Sequence, residues 1–275
     1  MKDTGKSRAL WVVFLAVVAI CQLLPFYFAL TTSFKRQNDL SSVFLFPFSE
    51  LTWDNFSKAI TDGSILLAIR NSLIVTVVST VIVMMVAAMA SYPLARRATR
   101  VNKVVEFLIL AVMMVPPLSI LVPLYTQLSK MGLLNTWYGL SIVMICIQLP
   151  QAIFLYTNFL RAIPISMEEA ATVDGASRWQ TFTRVVLPMM QPVTISVVIL
   201  CATNVWNEFA LSSYIMNRAE TRTIAPAIAS FFGTQGSDVN AAVAGSLMSL
   251  LPILVAYLFL QKYFMKGMLA GADKG

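Results

Sequence analysis

The chain has 275 residues, of which 58% are hydrophobic and only 12% are charged, and it contains no histidine. A soluble domain carries about 25% charged residues, so this composition excludes an ordinary soluble protein and indicates a polytopic membrane protein. The three cysteines, Cys21, Cys146 and Cys201, all fall inside apolar runs, which implies no disulfide framework. Without histidine, and with the cysteines in lipid spans, most metal sites and Cys/His catalytic sites are excluded too. We therefore predict no catalytic residue and no metal-binding residue.

Six apolar stretches bounded by charged residues reach the roughly 20 residues that a membrane span requires. They predict an all-α, polytopic fold with six transmembrane helices in one domain, residues 1–275. The first stretch is too long for a signal peptide and no small-residue cleavage site follows it, so we interpret it as an uncleaved anchor. The fifth lies between Arg184 and Glu208 and extends towards Ile215. The predicted spans are about 9–33, 71–95, 105–128, 133–159, 189–213 and 241–261.

The basic residues are unevenly divided between the two sides of such a topology. Six spans place both termini, the second–third connection and the fourth–fifth connection on one side, with 13 Lys and Arg against 6 acidic residues. The segments on the other side have 7 Lys and Arg against 7 acidic residues. Because cytoplasmic segments carry the excess of Lys and Arg, we predict that both termini are cytoplasmic in a multi-pass cell-membrane protein. This topology explains the basic excess, so no nucleic-acid partner is predicted.

Prolines and amide side chains interrupt the predicted spans. We expect Pro116-Pro117 and Pro123 to break the third span, and Pro150 to break the fourth. Such breaks persist in lipid only where neighbouring groups or a water-filled path satisfy the freed backbone. Polar or aromatic residues near these breaks and in the fifth span are candidates for lining a path, with hydrogen bonding between helices as the alternative. These candidates are Gln148, Gln151, Asn204, Trp206 and Asn207.

Residues 163–188 form a polar island between two apolar runs, yet they carry helix signals. Ser166 with Glu169 matches a capping box, and Ser177 with Gln180 repeats the pattern. The glycine at position 175 is placed to end the first of two short helices in a left-handed conformation, and Pro188 to stop or kink the second. The alternative interpretation is an ordinary amphipathic connector between two spans.

Within this island, Glu169-Ala170-Ala171, a glycine six residues after the glutamate, and Leu187-Pro188 resemble the EAA loop of ABC importer permeases. The variant Asp174–Ser177 resembles the carbohydrate branch of that family, the maltose/glycerol-phosphate-type sugar permeases, although Val185 stands where isoleucine is frequent. We call residues 163–188 the EAA-like loop. In the family this loop is a coupling helix that docks into a groove of a cytoplasmic ATPase. The resemblance implies these docking residues: Glu169, Ala170, Ala171, Asp174, Gly175, Ala176 and Ser177.

The resemblance covers nearly the whole chain after residue 50, including Trp206–Phe209 and the tail Gln261–Gly275. It implies the permease subunit of a bacterial or archaeal inner-membrane importer that translocates a carbohydrate delivered by an extracytoplasmic sugar-binding protein. It also implies a second homologous permease and two ATPase subunits. No cofactor is expected in this chain and no enzymatic activity, because it lacks the Gly-x-x-x-x-Gly-Lys-Ser/Thr phosphate-binding loop. ATP and Mg²⁺ are expected on the ATPase subunits.

A secondary transporter or a channel subunit for a neutral solute is the main alternative. Ion coupling would place ionisable groups deep in the spans, and none lies between the charged residues that bound the apolar stretches. A non-transporting scaffold would need neither broken spans nor a doubly capped loop. The first external loop, residues 35–70, is rich in aromatic residues. It predicts either contact with a binding protein or an aromatic belt at the membrane interface.

Overall fold

The computed structural model describes residues 5–37, 39, 41–233 and 236–272, with side chains described for 10–37, 39, 41–233, 238–256 and 258. The described chain is predominantly helical, with one short hairpin. A 3₁₀ segment (Pro117–Ile120) precedes one helix and a π-helical segment (Phe182–Val186) follows another. The elements are α1 (Gly5–Ser33), α2 (Asp54–Thr61), α3 (Ile65–Arg96), α4 (Arg100–Met113), α5 (Leu121–Lys130), α6 (Trp137–Ala162), α7 (Ser166–Val173), α8 (Arg178–Thr181), α9 (Leu187–Met189), α10 (Gln191–Trp206), α11 (Ala210–Ile215), α12 (Ile224–Ala229), β1 (Phe232–Gly233), β2 (Gly236–Ser237) and α13 (Val239–Ala272).

Several of these helices have the length and composition of membrane spans. Among the described residues four qualify singly, namely Leu10–Ser33, Ile65–Arg96, Trp137–Ala162 and Val239–Ala256. Two further helix pairs qualify together but are bent, by 91° after Met113 and by 71° after Met189. The count is six if each bent pair is one span. The predicted all-helical, multi-pass architecture is therefore confirmed, and the division into six spans stays a prediction.

Prolines end the helix at one predicted place and not at the other two. Pro116 is extended (φ −63°, ψ 128°), the conformation favoured before a proline, and α4 ends just upstream. The predicted break at Pro123 is wrong because this residue lies in the first turn of α5, where its missing N–H costs nothing. The predicted break at Pro150 is also wrong, since α6 runs through it for 26 residues. A single proline removes one backbone hydrogen bond, which packing on both sides of the helix compensates.

The chain divides into two compact units. The first comprises Met1–Leu66 and Ala227–Leu254. Within it, the buried Asn55 joins α2 to the end of α1, because its amide donates to the carbonyl oxygens of Ser33 (2.8 Å) and Lys35 (2.7 Å). An ion pair joins Lys58 Nζ to Asp238 Oδ2 at 2.9 Å. β1 and β2 form an antiparallel hairpin.

The second unit comprises Leu67–Pro226 and Val255–Gly275 and contains the hydrophobic core formed mainly by α3, α6 and α10. Small polar side chains join these helices. Tyr156 Oη donates to Thr194 Oγ1 (3.1 Å) between α6 and α10, and Ser79 Oγ donates to the Ser141 carbonyl oxygen (3.4 Å) between α3 and α6. Side-chain hydrogen bonds of this kind commonly hold membrane bundles together.

The tight turn between α3 and α4 is closed by its own side chains. Thr99 caps α4 through the Asn102 N–H, and the Asn102 amide donates to the carbonyl oxygens of Pro93 (2.8 Å) and Arg97 (2.7 Å). Nearby, Arg161 Nη2 at the end of α6 lies 2.5 Å from Glu106 Oε1 on α4. The side chains of the tail that shares the family resemblance, from Gln261 onwards, lie outside the described residues.

Candidate functional site

The EAA-like loop begins where α6 ends. Ile163 is extended (φ −79°, ψ 125°), a conformation that the following Pro164 favours, and α6 ends before it. The chain is already helical at Ile165 (φ −68°, ψ −23°), and no side chain caps α7. The predicted capping box of Ser166 and Glu169 is therefore wrong. Ser166 occupies the first helical position instead of the extended N-cap position from which its hydroxyl would reach the Glu169 N–H.

The end of α7 follows the prediction. Gly175 has φ +82°, a left-handed conformation that a residue with a Cβ adopts only with strain. The Ala176 N–H donates to the Ala171 carbonyl (3.0 Å) and the Gly175 N–H to the Thr172 carbonyl (3.0 Å), which together make a Schellman motif. The glycine thus reverses the chain within two residues and satisfies the terminal carbonyl groups of α7.

The second half of the loop is also capped as predicted. Ser177 and Gln180 form a reciprocal capping box at the start of α8. The Gln180 N–H donates to Ser177 Oγ (3.3 Å) and the Ser177 N–H donates to Gln180 Oε1 (2.8 Å). The helical stretch then continues to Met189 and bends by 71°, so the predicted stop at Pro188 is confirmed within one residue.

One carboxylate of α7 is buried and fixes the loop to α3. Glu168 Oε1 accepts from Arg96 Nε (2.6 Å), and Glu168 Oε2 accepts from Tyr92 Oη (2.7 Å). The Arg96 guanidinium also donates to the Ile163 carbonyl oxygen (3.1 Å). The Arg96 and Glu168 side chains are only 12% and 10% exposed. A hydrogen-bonded ion pair this shielded from water holds its two elements in one geometry.

Sequence reasoning assigned a role to Glu169 and none to Glu168. The sequence did contain a signal for Glu168, namely the adjacent pair Glu168-Glu169. Neighbouring helical residues point about 100° apart, so only one of these two carboxylates can face the bundle. Tyr92 and Arg96, four residues apart at the end of the second predicted span, lie on one face of α3 and receive that carboxylate. The pairing could not be predicted from the sequence, because Arg96 and Glu168 are 72 residues apart in the chain and meet only through the packing of α3 and α7.

The other face of α7 is exposed. Glu169 and Ala170 are exposed and Ala171 is half-buried, and the apolar side chains of Ile165, Met167 and Val173 are exposed beside them. Val173 is 87% exposed although it is apolar. A cleft of about 520 Å³ adjoins this face. Its lining includes Arg96, Arg97, Glu168, Glu169, Thr172 and Arg178. Exposed apolar and small side chains on a helix that is capped at its C-terminal end and held to the bundle by Glu168 are typical of a protein-binding surface.

Asp174, Gly175 and Ser177 are exposed, and Ala176 is half-buried. Apart from Gly175 and its two chain neighbours, no atom of the described residues lies within 4 Å of the position that a Cβ on Gly175 would occupy. The predicted docking residues lie on one short segment, where Glu169, Ala170 and Asp174 are exposed, Gly175 and Ser177 serve as caps, and Ala171 and Ala176 are half-buried.

The five candidate path residues differ in their exposure and in their hydrogen bonds. Gln148 is buried, and its Oε1 accepts from Asn204 Nδ2 at 3.4 Å, which joins α6 to α10. Gln151 is half-buried and makes no side-chain hydrogen bond to the described residues. Asn207 is exposed and bonds to the Thr203 carbonyl oxygen, and Trp206 is buried. The geometry places Gln148 among helix-bridging residues and leaves Gln151 with unused donors and acceptors.

The fifth predicted span is not one continuous helix. α10 ends at Trp206 and α11 begins at Ala210, and the Glu208 carboxylate caps α11 by accepting from the N–H groups of Leu211 and Ser212, each at 2.7 Å. The described residues contain no group of three or more His, Cys, Asp or Glu side chains arranged to hold a metal ion.

Comparison with known proteins identifies relatives of the whole chain. The family described as "Binding-protein-dependent transport system inner membrane component" matches residues 84–269. The melibiose/raffinose/stachyose import permease protein MelC of Bacillus subtilis (strain 168) is 35% identical over 271 residues, which are 98% of each chain. The multiple sugar-binding transport system permease protein MsmG of Streptococcus mutans is 32% identical over 281 aligned positions that cover both chains completely.

A solved structure has the same fold. A chain of a bacterial ABC transporter involved in the import of the acidic polysaccharide alginate superimposes with a TM-score of 0.79 at 22% identity, covering 96% of this chain and 98% of that one. At this identity the likeness establishes the fold alone. The family match and the full-length relatives together establish that this chain belongs to the binding-protein-dependent transport system inner membrane components.

Proposed function

We propose that this chain is the permease subunit of an ATP-driven ABC importer that translocates a carbohydrate delivered by an extracytoplasmic binding protein. The relatives that cover the whole chain support this proposal, because MelC and MsmG are named as permeases for melibiose, raffinose and stachyose and for multiple sugars. A further fold neighbour, with a TM-score of 0.63, was solved in complex with an alginate pentasaccharide-bound periplasmic protein.

The observation that carries the coupling part of the proposal is the fixed, outward-facing α7. Gly175 and the Ser177 capping box hold the loop in one conformation, and the buried Glu168–Arg96 pair joins it to α3. The small Ala170 and the exposed Glu169 face outwards. A partner ATPase that displaces α7 would also displace α3, because the Glu168–Arg96 ion pair holds these two helices in a fixed relative position. We infer that this is the path by which ATP-driven closure reaches the spans.

The proposed topology has six spans, each bent helix pair being one of them. The 13-to-7 division of basic residues supports cytoplasmic termini and a cytoplasmic EAA-like loop. The proposed assembly adds a second homologous permease and two ATPase subunits that bind ATP and Mg²⁺. Cysteines at Ser41 and Ser177 test this arrangement. In intact cells Ser41→Cys reacts with a membrane-impermeant thiol reagent, whereas Ser177→Cys reacts only after permeabilisation. The opposite pattern would overturn the orientation.

For the path, we propose that Gln151 and Asn207 contact the sugar in passing and that Trp206 supports them from its buried position, whereas Asn204 pairs with Gln148 between helices. Amide groups suit a neutral sugar because they donate and accept hydrogen bonds without charge. The pairing of Gln148 with Asn204 favours a structural role for Gln148.

Purification from native membranes in mild detergent tests the proposed function as a whole. We expect an affinity-tagged chain to co-purify with a second permease and an ATPase. In proteoliposomes the purified assembly should take up a radiolabelled oligosaccharide only with ATP and the binding protein. Uptake driven by an ion gradient without ATP would instead favour the secondary-transporter alternative.

A further inference from the structure

A short aromatic segment after α1 folds back along the helix that precedes it. We call residues 43–48 the aromatic loop; their sequence is Val-Phe-Leu-Phe-Pro-Phe. The ring of Phe44 packs edge-on against Phe28 of α1, with centroids 4.9 Å apart. Tyr27 Oη donates to the Phe44 carbonyl oxygen (2.8 Å), and Thr31 Oγ1 donates to the Val43 carbonyl oxygen (2.9 Å). The loop is thus fixed to the last two turns of α1.

These contacts place the aromatic loop beside the last two turns of an apolar helix, α1. Residues Leu10–Ser33 of α1 are long and apolar enough to cross a membrane, and every residue from Leu10 to Tyr27 is exposed within the described chain. Phe28 lies five residues before the end of α1, which is about 8 Å along the axis at 1.5 Å per residue. The aromatic loop therefore returns past the end of the span instead of extending away from it.

The backbone of the loop is equipped for a poorly hydrated environment. A carbonyl group away from water needs a partner, and the hydroxyls of Tyr27 and Thr31 supply two. The buried Lys35 closes the preceding turn by donating to the carbonyl oxygens of Ser41 (3.1 Å) and Ser42 (2.7 Å). The Leu45 N–H donates to the Ser42 carbonyl (2.9 Å). In water such groups would not require partners from a neighbouring helix.

Whereas two backbone carbonyl groups of the aromatic loop bond to α1, most of its side chains are exposed. Val43, Phe44, Leu45 and Phe48 are exposed, Phe48 to 88%. No charged residue occurs between positions 43 and 48. The Phe46 and Phe48 rings pack together, with centroids 4.9 Å apart, and extend this apolar surface. Carbonyl groups that α1 satisfies, combined with exposed aromatic side chains, suit a segment that lies in the interface of a bilayer.

We propose that the aromatic loop is a membrane-interface anchor that inserts Phe44, Leu45 and Phe48 between lipid headgroups beside the end of α1. The partner is the lipid bilayer. This places the loop next to the helix whose exposed apolar surface needs the same environment. Anchoring would set the depth of α1 and the orientation of α2, which Asn55 joins to the end of α1. The inference does not depend on which side of the membrane the loop occupies.

Spin-label accessibility tests the proposal in the assembled transporter. Cys21, Cys146 and Cys201 are replaced by alanine, and the complex is reconstituted in phosphatidylcholine nanodiscs. Single labels are placed at Leu45→Cys and Phe48→Cys, with Asp62→Cys, an exposed acidic position in the turn after α2, as the matched control. We expect oxygen accessibility to be high and accessibility to a water-soluble nickel chelate to be several-fold lower at positions 45 and 48 than at 62.

Other outcomes would overturn the anchor. High chelate accessibility at positions 45 and 48 would place the loop in water. Low accessibility to both reagents would mean that a protein surface covers it. Protection that arises only when the binding protein is added would assign the loop to binding-protein docking. Because the measurement needs neither ATP nor sugar, its failure would leave the proposed transport function standing, and loss of transport would leave the anchor standing.

Discussion

The EAA-like loop and the middle of the bundle both place polar residues in an apolar chain, but they use them differently. In the loop, Gly175 and Ser177 fix the backbone, and Glu169 and Ala170 face outwards. In the bundle, Gln148 and Asn204 pair with each other between α6 and α10. Polar groups that neither cap a helix nor pair within the chain are the ones free for a partner. By this criterion we propose the loop as a docking surface, and Gln148 and Asn204 as structural residues.

The largest expected effect is at the end of α7. Gly175→Val forces a β-branched residue into a left-handed conformation, a strain of about 1–3 kcal/mol, and opens the Schellman motif. We expect normal membrane insertion, weakened association with the ATPase and loss of uptake, measured by co-purification and proteoliposome transport. Gly132→Val is the matched control, because Gly132 has φ +68° and also has open space around it. Equal loss of uptake in both variants would contradict a special role for the loop.

The next effect concerns the connection between α7 and α3. Glu168→Gln leaves the Arg96 guanidinium buried without its counter-charge, and breaking a buried pair costs about 3–5 kcal/mol. We expect a lower melting temperature and ATP hydrolysis that no longer drives uptake. Glu106→Gln is the control, since its pair with Arg161 is 28% and 45% exposed and is worth at most about 1 kcal/mol. If the two variants lose the same stability and transport, Glu168 is not the link.

A smaller effect distinguishes the two serines that head the capping-box patterns. Ser177→Ala removes an observed N-cap and should reduce the free energy of unfolding by about 1 kcal/mol. Ser166 caps nothing, so Ser166→Ala should change it by less than about 0.5 kcal/mol. Thermal unfolding of the purified complex measures both. A larger loss at Ser166 would mean that α7 is capped differently from the structure described.

The smallest effect separates bridging from path residues. Gln148→Ala should lower stability by roughly 0.6 kcal/mol, the value typical of a hydrogen bond in a membrane bundle, with little change in transport. Gln151→Ala should lower transport with little change in stability, because the Gln151 amide has no partner among the described residues. Measuring uptake and melting temperature for both variants decides the matter. Reduced transport with unchanged stability in Gln148→Ala would return it to the path.

The features that sequence reasoning predicted correctly are local. The left-handed Gly175, the Ser177 capping box and the break at Pro116-Pro117 each depend on residues within a few positions, so their geometry follows from the residues themselves. The helical, multi-pass architecture follows from the apolar stretches for the same reason.

Two of the features that were missed depend on distant residues. Glu168 is defined by Arg96 and Tyr92 on another helix, and the continuity of α6 through Pro150 depends on the helices packed around it. The capping box at Ser166 failed because Pro164 and Ile165 set the backbone first. Local pattern therefore predicted the backbone of the loop, whereas its attachment to the bundle required the tertiary structure.

The central claim is that the exposed face of α7 contacts an ATPase. A photoreactive phenylalanine in place of Val173, which is 87% exposed, tests this claim directly in whole cells. The same residue at position 48 serves as the control on the aromatic loop. We predict an ultraviolet-dependent cross-link to the ATPase subunit from position 173 and none from position 48. An assembled complex in which position 173 cross-links to no ATPase would contradict the account.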